Sequence, residues 1–284
     1  MPLGATVFGM GFILGHKLSP DAHAGAGAGA GLRNFVVRDS VSKDSADADA
    51  DSDAAQEMQR ATKLRSDKVR AAMKHAWSSY EAYAFVFDEL KPLSKRGQNV
   101  WGGMGTTLVD SLDTLWLMGM KEEFWRARDW VRDSLSFDGI GLVSFFETTI
   151  RSLGGLLAAY DLSGDKVFLE KALDLGTRLS AAFDSPSGIP FAQVSLKKRN
   201  VANGHSWASG NSILAEISTV QVEFAYLSHV TADASFAEKA DAVVKILEGM
   251  ESKHGLYPIF INPNTGKFGN DKITLGAMGE IEIK

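Results

Sequence analysis

The residues with the clearest potential for acid–base chemistry lie in the segment Ser144 to Asp165. Glu147 and Arg151 are four positions apart, which places a carboxylate and a guanidinium one turn apart on one helical face. Gly154 and Gly155 follow, and a glycine inside a helix costs about 1 kcal/mol relative to alanine, which indicates a close approach of backbone or ligand. From the residues alone, an exposed Glu147–Arg151 ion pair is the simpler account of this spacing.

Two further pairs of carboxylates occur at helical spacing. Asp110 and Asp113 are i, i+3 neighbours that could line a pocket, although helix capping or salt bridges explain them equally well. Glu216 and Glu223 lie seven residues apart on one helical face. A structural carboxylate with satisfied hydrogen bonds is an open alternative for Glu223, so the spacing by itself does not define a site.

Several other chemistries lack the residues that they need. The sequence contains no cysteine, which excludes disulfides, thiolate zinc sites and a cysteine nucleophile. It also contains no P-loop, no H-E-x-x-H and no G-x-S-x-G motif. The formal net charge is -5, and the only dense basic cluster is Lys197–Arg199, so we expect no nucleic-acid partner.

The elements that must position these carboxylates are predicted to be helices. From Gln56 to about Met250 apolar residues recur with a helical period, for example at Leu108, Leu112 and Leu115 and at Phe168, Ala172, Leu175 and Leu179. Turn-forming residues at Asp161–Asp165 and Asp184–Gly188 separate the helices. The pattern predicts an all-α chain of successive helical hairpins, which build either an α-solenoid or a closed α/α barrel.

One segment departs from the helical pattern. Leu256 to Phe268 contains a short apolar run, a turn rich in Pro, Asn and Gly, and a second short run. This order of residues predicts one short β-hairpin.

The N-terminal residues have a different composition from the rest of the chain. Residues 1–18 contain an uncharged apolar run that is too short to cross a hydrocarbon core of about 30 Å, so we interpret them as a signal peptide or a short signal anchor. Residues 19–55 are rich in Ala, Gly and Asp and are predicted to form a flexible stem. An unstructured tail without a targeting role is the alternative for the N-terminus.

Five blocks of the sequence carry a resemblance to a known family. In order along the chain they are Asp88–Pro92, Trp101–Gly119, Ser144–Asp165, Leu214–Ser228 and Gly255–Phe268. Together they resemble the class I α-1,2-mannosidases of glycoside hydrolase family 47. Five blocks in the family's order make the resemblance specific.

The resemblance implies an α/α barrel of seven helical hairpins, of which residues 56–284 would form about the first half. It implies an inverting glycosidase that trims terminal α-1,2-linked mannose from high-mannose N-glycans in the endoplasmic reticulum or Golgi. An inverting enzyme uses one carboxylic acid to protonate the leaving oxygen and a second carboxylate to activate water. The implied location is the secretory pathway, with possible type II membrane anchoring through the N-terminus.

The resemblance also implies roles for individual residues. Glu147 matches the general acid of the family, and Arg151 matches a residue that contacts sugar. Glu216 is placed near the bound mannose. Glu223 and Asp113 are candidate substrate-binding residues, with the structural alternatives given above.

The C-terminal residues depart from the family pattern. Where the family has an arginine, a small residue and an aspartate proposed as base, this chain has Met278, Gly279 and Glu280. Glu280 is therefore the candidate second catalytic residue, with a longer side chain. The family also implies a Ca²⁺ ion, but its threonine ligand falls after Lys284, so no metal ligand is assigned within this chain.

These departures lead to three expectations. The 284-residue chain is predicted to lack appreciable mannosidase activity. The inner helix face that carries Leu108, Leu112 and Leu115 is expected to be partly uncovered, which would leave an exposed apolar patch and favour self-association. A non-catalytic mannose-binding or glycoprotein quality-control protein is the alternative function, and an α-solenoid scaffold is a third.

Overall fold

The computed structural model describes residues 45–203, 206–276 and 278. The predicted targeting segment at 1–18, the predicted stem up to residue 44, and Glu280 lie outside the described residues. The described residues up to Trp77 group in one compact unit, and those from Ser78 onward group in a second. All of the candidate site residues that the structure describes belong to the second unit.

Most of the described chain is helical, which confirms the predicted all-α character. The α-helices are α1 (Ser45–Ala84), α2 (Thr106–Asp110), α3 (Leu112–Leu117), α4 (Lys121–Asp133), α5 (Phe145–Glu147), α6 (Gly154–Ser163), α7 (Lys166–Leu179), α8 (Leu214–Ile217), α9 (Gln221–Thr231) and α10 (Ser235–Glu248). A π-helical segment, Thr148–Leu153, lies between α5 and α6, and 3₁₀ turns occur at Ser180–Phe183 and Ser206–Ala208.

Helix α1 begins at Ser45, within the segment 19–55 for which the sequence predicted a stem; the boundary at residue 55 stays a prediction. The segment that we interpreted as stem is rich in alanine, which has the highest helix propensity. Aspartates near the helix N-terminus also interact favourably with the helix dipole. No helix among the described residues combines the length and apolar character needed to cross a membrane.

Among the described residues, three small antiparallel sheets accompany the helices, where the sequence predicted a single hairpin. In the first, β1 (Glu89–Lys91) pairs with β2 (Arg96–Gln98). In the second, the central strand β4 (Gln193–Ser195) pairs with β3 (Leu142–Ser144) and with β5 (Val201–Ala202). In the third, β6 (Ser212–Ile213) pairs with β7 (Phe260–Ile261). These strands have two or three residues, too few to show the alternating pattern that identifies a strand in a sequence.

The predicted hairpin at Leu256–Phe268 is only partly correct. Its turn is closed by a hydrogen bond from the Gly266 N–H to the Asn262 carbonyl at 2.8 Å, and Ile261 forms an isolated bridge with Phe268. The strand β7, however, pairs with the distant β6, in the register Ile213 opposite Phe260. This long-range pairing leaves Ile261 fully buried, which a hairpin alone would not achieve.

The helices are arranged in hairpins, as the turn-forming residues predicted. Helix α6 ends at Gly164, which has the left-handed φ of 70° and donates its N–H to the Tyr160 carbonyl at 2.8 Å. Asp165 then caps α7 by accepting from the Val167 N–H at 3.0 Å. Helices α6 and α7 pack together, and so do α9 and α10.

An aromatic cluster connects the segment around Glu147 to the core. The ring of Phe145 lies 5.2 Å from that of Phe183 and 6.0 Å from that of Phe224, measured between centroids. Phe145 and Phe224 are almost completely buried. Because Phe145 is in α5 and Phe224 is in α9, the cluster fixes these two elements against each other.

The expected apolar patch at Leu108, Leu112 and Leu115 is wrong. Each of these side chains is 0% exposed, because α2, which carries Leu108, and α3, which carries the other two, both pack against α4 and α6. Gly155 in α6 permits a close approach to α2. A Cβ at this position would lie 2.6 Å from the Val109 carbonyl oxygen, so the glycine is required by backbone packing.

This packing predicts the effect of adding one methyl group. Gly155→Ala is expected to lower the free energy of unfolding by about 1–2 kcal/mol. A 2.6 Å contact with a backbone carbonyl falls in the upper part of the overpacking range, about 2–3 kcal/mol, and the gain in helix propensity offsets about 1 kcal/mol of this. Gly139→Ala is the matched control, since no atom lies within 4 Å of its added Cβ. Urea unfolding should leave that control within about 0.5 kcal/mol of wild type. Equal stability of the two variants would contradict the packing at Gly155.

Candidate active site

The segment around Glu147 begins with a helix cap. Ser144 has an extended backbone, and its hydroxyl oxygen accepts from the Glu147 N–H at 3.2 Å. Ser144 and Glu147 have the Ser-x-x-Glu spacing of a capping box, in which the glutamate side chain would turn back toward the cap. Here the carboxylate of Glu147 extends instead toward Arg151, which leaves it available for chemistry.

The helix that carries Glu147 and Arg151 is not uniform. Short α5 is followed by the π-helical segment Thr148–Leu153 and then by α6. In this segment Thr148, Thr149, Ser152 and Leu153 are buried, whereas Arg151 is half-buried. A π-helical turn inside an α-helix is rare and is common at functional sites. The sequence predicted the helix and its two faces, but not the wider turn.

Arg151 lies between two carboxylates. Its Nε donates to Glu147 Oε2 at 2.8 Å, and its Nη1 lies 3.6 Å from Asp110 Oδ2. The side chains of Glu147, Arg151 and Asp110 are 27%, 21% and 23% exposed, so the group is partly screened from water. Glu147 and Arg151 line a narrow cleft whose wall includes Trp101, Thr106 and Ser152. The simple surface ion pair is therefore not an adequate description of Glu147.

The cleft also contains a polar group without a partner. The Ser152 hydroxyl is buried and has no hydrogen-bond partner in the described part of the chain. A buried polar atom left in this state is destabilising, and it is often explained by a bound water or ligand.

Glu216 lies close enough to Glu147 for their charges to interact. It is in α8, directly after β6, and is half-buried. Burial, with a smaller contribution from the charge of Glu147, raises the pKa of Glu216 to about 7. The structure thus brings together two glutamates that are far apart in the sequence.

Glu223 lies in α9 against the start of α6. A Cβ on Gly154 would lie 3.6 Å from Glu223 Oε1, so this glycine leaves room for the carboxylate. Burial raises the pKa of Glu223 to about 7. Its Oε2 is buried and has no hydrogen-bond partner among the described residues. The alternative of a satisfied structural carboxylate therefore does not describe Glu223.

Asp110 and Asp113 differ in their surroundings. Burial raises the pKa of Asp110 to about 6, with Arg151 lowering it and the charges of Asp113 and Glu147 raising it further. Asp113 Oδ1 accepts from the backbone N–H and the hydroxyl of Thr114, at 2.5 and 3.2 Å. Asp113 is therefore engaged in local hydrogen bonds, and Asp110 is the residue in direct contact with Arg151.

The calcium ion that the family resemblance implies was tested against these residues. Calcium takes six to eight oxygen ligands in proteins, often from several carboxylates. No group of three or more His, Asp or Glu side chains in residues 45–203 and 206–276 is arranged to hold a metal ion. Calcium also binds backbone carbonyl oxygens, and Glu280 lies outside the described residues, so the expected calcium ion stays a prediction.

Two residues near the cleft had no role assigned from the sequence. Trp101 places its ring 5.2 Å from the guanidinium carbon of Arg151, and Asp88 organises the loop that carries Trp101. In the sequence, the glycines at positions 102, 103 and 105 indicated a tight loop, and all three have positive φ in the structure. They did not indicate that the side chain of Trp101 would lie beside Arg151.

The raised pKa of Glu223 predicts how stability depends on pH. The group binds its proton more tightly in the folded chain, so folding loses stability as the pH rises from about 4.5 to about 7. Glu223→Gln should remove this loss, which is about 1.4 kcal/mol for each unit of pKa shift. We expect urea unfolding to show a more stable variant at pH 8 and little difference at pH 4.

The matched control is Glu122→Gln, since Glu122 is exposed in α4. If Glu223→Gln and Glu122→Gln change the free energy of unfolding by the same amount at both pH values, the environment of Glu223 does not disfavour its charged form.

Comparison with known proteins agrees with the geometry. Residues 72–280 match the family description Glycosyl hydrolase family 47. The chain is 50% identical over 219 residues to the mannosyl-oligosaccharide 1,2-alpha-mannosidase MNS1 of Arabidopsis thaliana, covering 77% of this chain and 39% of that protein. It is 44% identical over 218 residues to the endoplasmic reticulum mannosyl-oligosaccharide 1,2-alpha-mannosidase of Rattus norvegicus, covering 76% and 33%.

A solved structure supports the same assignment. The alpha-1,2-mannosidase from Trichoderma reesei superimposes with a TM-score of 0.69 at 28% identity, covering 76% of this chain and 48% of that one. The chain thus spans less than half the length of these relatives. The motifs, the helical-hairpin fold and the matched residues together show that this chain belongs to glycosyl hydrolase family 47.

Proposed function

We propose that the protein hydrolyses terminal α-1,2-linked mannose from high-mannose N-glycans, as an inverting glycosidase. The observation that carries this proposal is the position of Glu147, 2.8 Å from Arg151 and close enough to Asp110 and Glu216 for its charge to raise their pKa values. The names of the relatives support the same reaction. Because the chain spans only part of their length, the activity is proposed for the protein to which this domain belongs.

Glu147 would act as the general acid that protonates the leaving oxygen. Its side chain is 27% exposed, and its hydrogen bond to Arg151 fixes its orientation. Asp110 and Glu216 have pKa values of about 6 and about 7, so these two carboxyls are partly protonated near neutral pH. A general acid must itself carry a proton at the working pH.

The remaining charged groups would bind the sugar. Arg151 offers donors to sugar hydroxyls, while Glu216 and Asp110 offer acceptors. Glu223 has one carboxylate oxygen without a partner in the described residues, so it can accept from a hydroxyl or a bound water. In an inverting site a second carboxylate activates water on the opposite face of the sugar. Glu280 is the proposed residue at that position.

The cofactor and the location are also proposals. A Ca²⁺ ion would be held mainly by groups other than the described residues, and no step is assigned to it. We propose that the protein acts in the secretory pathway, with residues 1–18 as its targeting segment, because one relative is an endoplasmic reticulum enzyme by name. Anchoring as a type II membrane protein is part of the same proposal.

A chimera tests the acid function most directly. Residues 72–270 of this chain would replace the aligned segment of the Arabidopsis mannosidase, which then supplies the rest of the site. We expect release of mannose from a high-mannose glycan with calcium present, with the β-anomer formed first as inversion requires. Glu147→Gln within the chimera should lower the rate by at least about 100-fold, because a positioned acid contributes about 10²- to 10⁴-fold.

Three controls define the outcome. Glu122→Gln in the same chimera should leave the rate unchanged, since Glu122 is exposed on α4. A second chimera that extends to residue 280 introduces Met278 and Glu280, and mannose release by it that is lost in Glu280→Gln would support Glu280 as the second carboxylate. For the 284-residue chain alone, the absence of appreciable mannose release stays a prediction.

Mannose release by the chimera that survives Glu147→Gln would contradict the proposed role of Glu147 as the acid. Glycan binding without hydrolysis would favour the non-catalytic alternative.

A further inference from the structure

Asp88 is a fully buried carboxylate at the base of the loop Trp101–Thr106. Its Oδ2 accepts from the backbone N–H groups of Trp101 and Gly103, each at 2.8 Å. Its Oδ1 accepts from the N–H of Met104 at 2.8 Å and from the N–H and hydroxyl of Thr106 at 3.2 and 3.1 Å. One side chain thus accepts from four of the six backbone amides of the loop, so the path of this loop depends on Asp88.

The loop can follow this path only because of its glycines. Gly102, Gly103 and Gly105 have backbone φ values of 98°, 79° and 64°, which residues other than glycine rarely adopt. A Cβ at Gly105 would also lie 2.8 Å from the ring of Trp130. The hydrogen bonds to Asp88 and the packing of Gly105 against Trp130 therefore both hold the loop in this conformation.

The side chain of Trp101 is fixed at a second point. Its indole Nε1–H donates to Glu89 Oε1 at 2.9 Å, and Glu89 Oε2 accepts from Gln98 Nε2 at 2.8 Å. Glu89 and Gln98 are directly opposite each other in the β1–β2 pair. With its backbone bound to Asp88 and its indole bound to Glu89, the ring has one defined orientation.

The indole ring of Trp101, fixed in this way, is one of three groups around the guanidinium of Arg151. The guanidinium carbon lies 5.2 Å from the ring centroid, within the distance of a cation–π contact. The other two groups are the carboxylates of Glu147, whose Oε2 lies 2.8 Å from Arg151 Nε, and of Asp110, whose Oδ2 lies 3.6 Å from Arg151 Nη1. Arginine is a long flexible side chain, and a flat aromatic surface limits the positions that it can take between two carboxylates.

We propose that Asp88 and Trp101 are positioning residues, which hold Arg151 between Glu147 and Asp110 through the loop that connects them. Neither residue is required to touch the sugar in this role. The consequence for catalysis rests on the proposed acid function of Glu147, but the placement of Arg151 can be measured without any activity.

The test measures the ionisation of Asp110 in the full chain. The charged groups that act on Asp110 are Arg151, Asp113 and Glu147, and of these Arg151 favours the ionised form. An opposite charge nearby lowers a carboxyl pKa by about 1–3 units, so loss of a well-placed Arg151 in Trp101→Leu should raise the pKa of Asp110 by about 1 unit. Carboxyl NMR of chain labelled in aspartate, assigned with Asp110→Asn, reports this value.

Two variants separate positioning from a general loss of structure. Trp101→Phe keeps an aromatic surface beside Arg151 and should leave the titration of Asp110 close to wild type. Trp125→Leu is the matched control, because Trp125 is half exposed and packs on Trp116 and Phe124 in another part of the unit. Asp88→Asn should shift Asp110 in the same direction as Trp101→Leu. An unchanged Asp110 titration in Trp101→Leu would overturn the proposal.

The wild-type chain provides a measurement that does not depend on the folding of any variant. The Nε–H resonance of Arg151, assigned by its disappearance in Arg151→Lys, should be displaced by the ring current of Trp101 and should exchange slowly with solvent. An Arg151 signal at the position and exchange rate of exposed arginines would overturn the proposal. If the chimera with the Arabidopsis mannosidase released no mannose, the proposed function would be contradicted. The two NMR measurements would still test whether Trp101 positions Arg151.

Discussion

The structure around the candidate site depends on the placement of one arginine among carboxylates. Asp110 and Glu216 are partly shielded from water, and burial together with the negative charge of Glu147 raises the pKa values of both. Arg151 offsets part of the repulsion between Glu147 and Asp110 through its contacts with both. The arrangement keeps negative charge and protonatable carboxyls close together, and acid catalysis on a glycosidic bond needs both.

The surrounding fold serves to bring these groups together from separate parts of the chain. Gly155 lets α6 approach the backbone of α2, which places Asp110 beside the π-helical segment. Gly154 leaves space for Glu223 on α9. The cluster of Phe145 with Phe224 fixes the start of the same segment in the core. The two glycines therefore cost helix stability locally and permit the packing on which the site depends.

The sequence predicted the parts of this arrangement that have a regular pattern. Helical periodicity placed Glu147 and Arg151 one turn apart, and the order of five motifs predicted the family. It did not predict the π-helical turn, because a change in helix width leaves no periodic signal over six residues. It also failed for the two- and three-residue strands and for the strand β7, whose partner β6 is distant in the sequence.

Reasoning about exposure failed at one helix face. Leu108, Leu112 and Leu115 were expected to be partly uncovered, although neighbouring helices of the same unit cover them. The role of Trp101 followed only from three-dimensional contacts, since neither its indole partner Glu89 nor Arg151 is near it in the sequence.

The central claim is that Arg151 compensates the charge of this group of carboxylates, and the pH dependence of stability in Arg151→Met tests it most directly. If the claim is correct, the loss in unfolding free energy should be small at pH 4, where the carboxylates can take up protons. It should increase to about 1–3 kcal/mol at pH 8, where they are left without a cation. A loss of the same size at both pH values would show that Arg151 contributes packing alone and would contradict the account.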